Sequence, residues 1–144
     1  MKKLLPLFIA LLFFAACKKE TKELRTITYP LCPYNGSALT GQVSFIETEY
    51  SDTVIVKLEA HGLVPNTTYL SHLHTGTPGN LTGTLIYFHH VMSATGDVIT
   101  EEKWAETYDN ALVSGTCFTI HNPAFFSNDT IGYELAGGTG ANAQ

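Results

Sequence analysis

The run TVIVKLEAHGLVPN, residues 53–66, alternates apolar and polar side chains and then breaks. Val54, Val56, Leu58 and Ala60 fall on one face at a period of two, a pattern that a helix of about 3.6 residues per turn would scatter. Gly62, Pro65 and Asn66 then mark a turn. The same grammar recurs along the chain. GQVSFIETEY alternates loosely before the turn at SD. TTYLSHLH sets Tyr69, Ser71 and Leu73 on one face and Leu70, His72 and His74 on the other, and TGTPGN is a loop of turn formers. LTGTLIYFHHVMS, GTCFTIH and IGYEL read as further strands. A helix finds room only in TEEKWAETYDNAL, residues 100–112, where Glu101 and Glu102 suit a helix start. Many short strands between Gly/Pro turns predict an all-β fold: an antiparallel, Greek-key-like β-sandwich or flattened barrel with at most one short helix. Four N-x-S/T triplets, starting at Asn35, Asn66, Asn80 and Asn128, fit turns.

The first seventeen residues follow a different logic. MKK is basic, LLPLFIALLFF is an apolar run too short for a mature membrane span, and AAC ends in small residues. That is the layout of a secretory signal. FAAC resembles the lipobox of bacterial lipoproteins, with Phe14 where Leu is commoner. The resemblance implies lipidation of Cys17 and export to the cell envelope, at the outer membrane on its periplasmic or surface face. The expected organisation is a signal over 1–17, a charged flexible tether over 18–28, one β-sandwich domain over 29–136 and a flexible tail, AGGTGANAQ, whose last residues are 137–144. No second apolar stretch is long enough to cross a membrane as a helix.

Charge narrows the partners. From Thr26 onward two lysines, Lys57 and Lys103, stand against eleven acids. Nucleic acid binding needs the opposite sign, and small anions are repelled. With Cys17 lipidated, Cys32 and Cys117 remain as an even pair in an oxidising compartment, which predicts a disulfide. Closing so long a loop would stabilise the fold by about 4 kcal/mol on the chain-entropy model.

The histidines carry the chemistry. In an extended strand His72 and His74 point the same way. In GTCFTIH, Phe118 and Ile120 alternate with Cys117, Thr119 and His121. If Tyr69, Leu73, Phe118 and Ile120 face the core, His72, His74 and His121 share the outer face. Three neutral imidazoles with an open position suit copper or zinc. The segment GL-x-P-x-x-x-Y-x-x-H-x-H-x-G, from Gly62 to Gly76, resembles the copper-ligand strand of copper/zinc superoxide dismutases. It resembles still more the H-x-H of CHRD domains, and CFTIHNP followed by IGYEL is similar to the ending of that family. The resemblance spans most of Thr40 to Ala136. It implies a sandwich fold and a copper site, with zinc second, at His72, His74 and His121. His89 follows His74 at an interval like that of the dismutase bridging histidine, but TGTLIYFHHV reads as a strand and the zinc half reads as missing. Either His89 or His90 offers a fourth ligand, and not both equally. His61 reads as a strand-end surface residue.

Two other classes compete with metal handling. A copper-only dismutase-like enzyme lacks any arginine after Arg25 and repels superoxide through its acidity. A metal-free module binding protein or glycan would use Tyr87, Trp104, Tyr108, Phe125 and Phe126, although aromatics of this kind are usually core. No G-x-S-x-G elbow, P-loop, CxxC or HExxH is present.

Overall fold

The protein's structure, a computed structural model, describes residues 22–34, 36–121 and 133–143, and the side chains of all of these except 89–93 and 133–134. Among the described residues eight strands and one short helix follow in order: β1 (Thr26–Pro33), β2 (Thr40–Glu47), β3 (Val54–His61), β4 (Thr67–Thr77), β5 (Asn80–Ser93), β6 (Asp97–Trp104), α1 (Tyr108–Val113), β7 (Gly115–His121) and β8 (Tyr133–Gly140). The strands join in the order β5-β4-β7-β8-β1-β2-β3-β6, with every pairing antiparallel. The chain crosses between halves after β3, after β5 and again through α1. Strand β1 belongs to both halves. It pairs with β2 from Thr26 to Leu31, but with β8 only at Cys32 and Pro33. The sheet curls until its edge strands β5 and β6 approach one another. The all-β expectation holds.

The core lies between the two halves. Val43, Phe45, Val54, Val56 and Leu58 come from one half and Leu73, Phe88, Phe118, Ile120 and Leu135 from the other, all in one cluster. The period-two face of β3 is its floor: Val54, Val56, Leu58 and Ala60 are fully buried, while Ile55, Lys57 and Glu59 are only partly covered. Edge-to-face contacts tie the rings, Phe45 to Tyr29 at 5.6 Å and Phe88 to Phe118 at 5.1 Å between centroids. Each such buried side chain contributes about 1.5–3 kcal/mol by leaving water.

Several expectations need correction. Thr100–Trp104 is not helical. It completes β6, where Lys57 faces Glu101 and Val56 faces Glu102 across the ladder. The acids that suggested a helix start instead lie on an edge strand, a position where charge discourages pairing with other chains. The helix begins only at Tyr108, capped by Thr107, whose hydroxyl accepts from the Asn110 amide at 3.1 Å.

The expected tail is strand as far as Gly140 and is paired with β7 throughout. Its glycines reflect close packing, not freedom. A Cβ on Gly137 would lie 2.6 Å from the Pro30 carbonyl oxygen, and one on Gly138 would lie 2.0 Å from that of Asn142. The tether ends earlier than expected too, because β1 begins at Thr26 and Lys22 and Arg25 already bond to Glu47. TGTPGN shrinks to a turn at Pro78–Gly79, since β4 runs on to Thr77 and β5 starts at Asn80.

The Cys32–Cys117 disulfide is absent. Both thiols are free, Cys32 exposed and Cys117 buried. Strand β8 explains this. Cys32 pairs with Ala136, while Cys117 lies across β8's other edge opposite Gly138. Two strand spacings of about 4.8 Å exceed the Cα separation of about 4.4–6.8 Å that a disulfide needs.

Asn66 adopts a left-handed conformation at φ 58°, in keeping with a turn at its triplet. Among the described residues, no helix is long and apolar enough to cross a membrane. Cys17, the leader, Asn35, Phe125, Phe126 and Asn128 lie outside the described residues.

Candidate metal centre

Strands β4 and β7 build the site from their outward faces. Tyr69, Ser71 and Leu73 of β4 and Phe118 and Ile120 of β7 are buried in the core, which leaves His72, His74 and Thr119 on the opposite side. His72 lies directly across from Thr119 and His74 across from Cys117. The pairing of β7 with β8 slips between Ile120 and His121. His121, at the end of its strand, meets the other two rings. Centroid separations are 4.9 Å from His72 to His121, 5.2 Å from His72 to His74 and 6.0 Å from His74 to His121. One ring nitrogen from each histidine lies within 4.8 Å of the other two, so the three form a cluster able to hold a metal ion.

The closest approach already has the spacing of a ligand pair. His72 Nδ1 is 3.1 Å from His121 Nε2. Two nitrogens bound to a tetrahedral ion at about 2.0–2.1 Å stand about 3.3 Å apart. In the metal-free protein one of these nitrogens donates to the other's lone pair, and the Thr119 hydroxyl stands 3.1 Å from His121 Nε2.

His74 is the most buried of the three, 8% exposed. Its Nδ1 lies 3.2 Å from the Gly83 carbonyl oxygen and 3.2 Å from the Thr84 hydroxyl. A carbonyl only accepts, so the proton is on Nδ1 and the lone pair on Nε2. That Nε2 is buried and finds no hydrogen-bond partner among the described residues. A buried acceptor without a donor is costly, and a cation supplies what it lacks. The donor set therefore fits a metal: three imidazoles, one of them oriented through its far nitrogen by a backbone carbonyl.

Electrostatics keep the rings ready. Burial first, then the neighbouring His121 and His74, hold His72 down at about 4. Burial and then His74 hold His121 at about 4. Burial also lowers His74, against the raising effect of its bond to Gly83. All three are neutral at pH 7, the form that binds metal. Tyr87 of β5 packs edge-on against His72 at 4.8 Å between centroids and is 57% exposed.

The structure thus brings together His72, His74 and His121, the set expected from the sequence. His89 and His90 lie in β5, with side chains outside the description. His61 ends β3, exposed, with its Nδ1 2.9 Å from Asp97. Of the aromatic residues considered for partner contact, Trp104 and Tyr108 are buried in the core, and Tyr87 remains at the surface. Gly83, Thr84 and Thr119 were not anticipated. Strand alternation places Thr119 beside the histidines, whereas no local signal marks Gly83 or Thr84, whose role depends on a shift in strand pairing.

No protein-family model matches this chain, and a search of curated proteins finds no match to it.

Proposed function

We propose that this chain is an exported, lipid-anchored domain that binds a transition metal, copper first and zinc second, at His72, His74 and His121, for metal handling or redox protection at the cell envelope. The observation that carries the binding reading is the convergence of three neutral imidazoles, with the buried Nε2 of His74 lacking any partner among the described residues. Imidazole donors suit copper and zinc alike. The likeness of the Gly62–Gly76 and Cys117–Pro123 stretches to CHRD domains and to copper/zinc dismutases ranks copper first. The FAAC lipobox likeness supports the anchor at Cys17. The acid excess of the domain attracts cations.

Dismutation is expected to be weak. No arginine follows Arg25 to guide an anion, and the acidic surface repels superoxide.

Calorimetric titration of the soluble domain with Cu(II) and Zn(II), beside the His72→Ala/His74→Ala double variant, tests the reading. Uptake of one equivalent by the wild type, lost in the variant, is the expected result. Equally weak uptake by both proteins overturns it and favours a metal-free interaction module. Mass spectrometry of the full chain from its native membrane tests lipidation at Cys17 separately.

A further inference from the structure

The pairing of β5 with β4 slips by one residue at three places, and the middle slip falls at His74. Ser71, His72 and Leu73 face Phe88, Tyr87 and Ile86 in turn, and then His74 faces Thr84 instead of Leu85. Leu85 is the extra residue, 40% exposed. In an unbroken register Leu85 would sit opposite His74 and lay an apolar side chain against the imidazole. The bulge removes it from that position. It brings up two polar groups instead, the Gly83 carbonyl and the Thr84 hydroxyl, each 3.2 Å from His74 Nδ1. Bulges next to functional sites commonly re-aim side chains in this way.

Both groups act on Nδ1, which leaves Nε2 as the ring nitrogen without a partner among the described residues. The Gly83 carbonyl and the Thr84 oxygen share the one hydrogen on Nδ1, and the two acceptors together favour that tautomer. The ring is then held in one tautomer and one rotation, and the bare Nε2 is the atom left for an ion. Thr84 has its own anchor in the ladder, because the next pair, Thr75 with Gly83, continues in the shifted register.

We propose that Thr84, set in place by the Leu85 bulge, is a positioning residue: together with the Gly83 carbonyl it locks His74 in the Nδ1–H form and directs Nε2 to the shared ion. This inference rests on the metal-binding reading and adds the element that makes His74 a competent ligand. Thr84 does not itself bind the metal.

The test compares wild type, Thr84→Val and Thr84→Ser by Zn(II) and Cu(II) titration, and by nitrogen-15 spectra of the His74 ring in the metal-free proteins. Melting temperatures control for folding. The expected result is an Nδ1–H His74 in wild type, roughly tenfold weaker metal binding with a mixed tautomer in Thr84→Val, and recovery of both in Thr84→Ser. An Nε2–H ring in metal-free wild type overturns the proposal. So does Thr84→Val that matches wild type in affinity and tautomer. Wild type that binds no metal sinks the metal-binding reading itself. The lock is then judged on the spectra alone, and an unchanged tautomer in Thr84→Val overturns it.

Discussion

Arg25 grips Glu47 with both sides of its guanidinium, Nε to Oε2 at 2.9 Å and Nη2 to Oε1 at 2.9 Å. The Arg25 amide donates to the same carboxylate at 3.2 Å, and Lys22 adds a further ion pair. The guanidinium also stacks 4.5 Å from the centre of the Tyr108 ring and bonds Asp109 at 2.8 Å. The segment before β1 is thereby fastened to the end of β2 and to α1. Bidentate, charge-assisted pairing of a buried acid is the kind of surface-linked ion pair that matters for stability.

Glu47→Ala is therefore expected to lower the melting temperature, and by more than Lys22→Ala, because the glutamate accepts from Lys22 and from the Arg25 side chain and amide alike. Arg25 and Lys22 hold the Glu47 carboxyl well below the usual 4.5. A depressed carboxylate contributes stability that is fully present above its unfolded value and fades as pH falls below it. Acid melts, followed by the single tryptophan, Trp104, should show this loss below about pH 4.5 in wild type, and a smaller loss in Glu47→Ala.

The three-histidine cluster has its own pH signature. His72 and His121, both near 4, are held below the ordinary histidine value of 6.5. The unfolded chain takes up protons at these positions before the folded chain does. The fold is thus penalised as pH falls from 6.5 towards 4, and the penalty disappears above 6.5. For metal, the same depression means that protons compete late. Bound Zn(II) should persist to about pH 5, and release between about pH 5 and 4 should be visible with a chromogenic chelator.

Single ligand losses should be graded. His74→Ala removes the ring that is already oriented and buried, and His121→Ala removes half of the 3.1 Å nitrogen pair. Each is expected to weaken Zn(II) binding at least hundredfold in competition titrations, while His61→Ala at the exposed end of β3 changes nothing.

Thiol labelling separates the two cysteines. Cys32 is exposed and should react with a thiol reagent in the native protein within minutes. Cys117 is fully buried, and burial pushes its thiol up to about 11. It should react only on unfolding. Cys32 and Cys117 are both expected to react under denaturing, non-reducing conditions.

Behind the site, Phe118 separates Cys117 from Thr119 in β7 and packs on Phe88 with no exposed surface. Phe118→Ala should cost about 3–5 kcal/mol in denaturant unfolding. Because it loosens the strand that carries His121, it should also weaken metal binding.

Strand alternation made much of this legible. Once Tyr69 and Leu73 are assigned to the core, His72 and His74 must lie outside, and the same rule applied to Phe118 and Ile120 puts His121 with them. What escaped is what alternation cannot see. Thr100 to Trp104 has the composition of a helix start but an edge position in the sheet. Gly137 and Gly138 look like a loose tail until the backbones pressed against them are known. The distance between Cys32 and Cys117 depends on which strand lies between them, and Thr84 reaches His74 only through a one-residue slip in pairing. Each is fixed by long-range neighbours, not by local sequence.

The junction of the two halves is made by the first strand and the last, β1 and β8, through Cys32 with Ala136 and Pro33 with Leu135. A chain emerging from a ribosome cannot complete that junction until β8 has followed β1 and every strand between them. Up to that moment the two halves have no ladder between them. The glycine-rich strand β8 is the one that closes the seam.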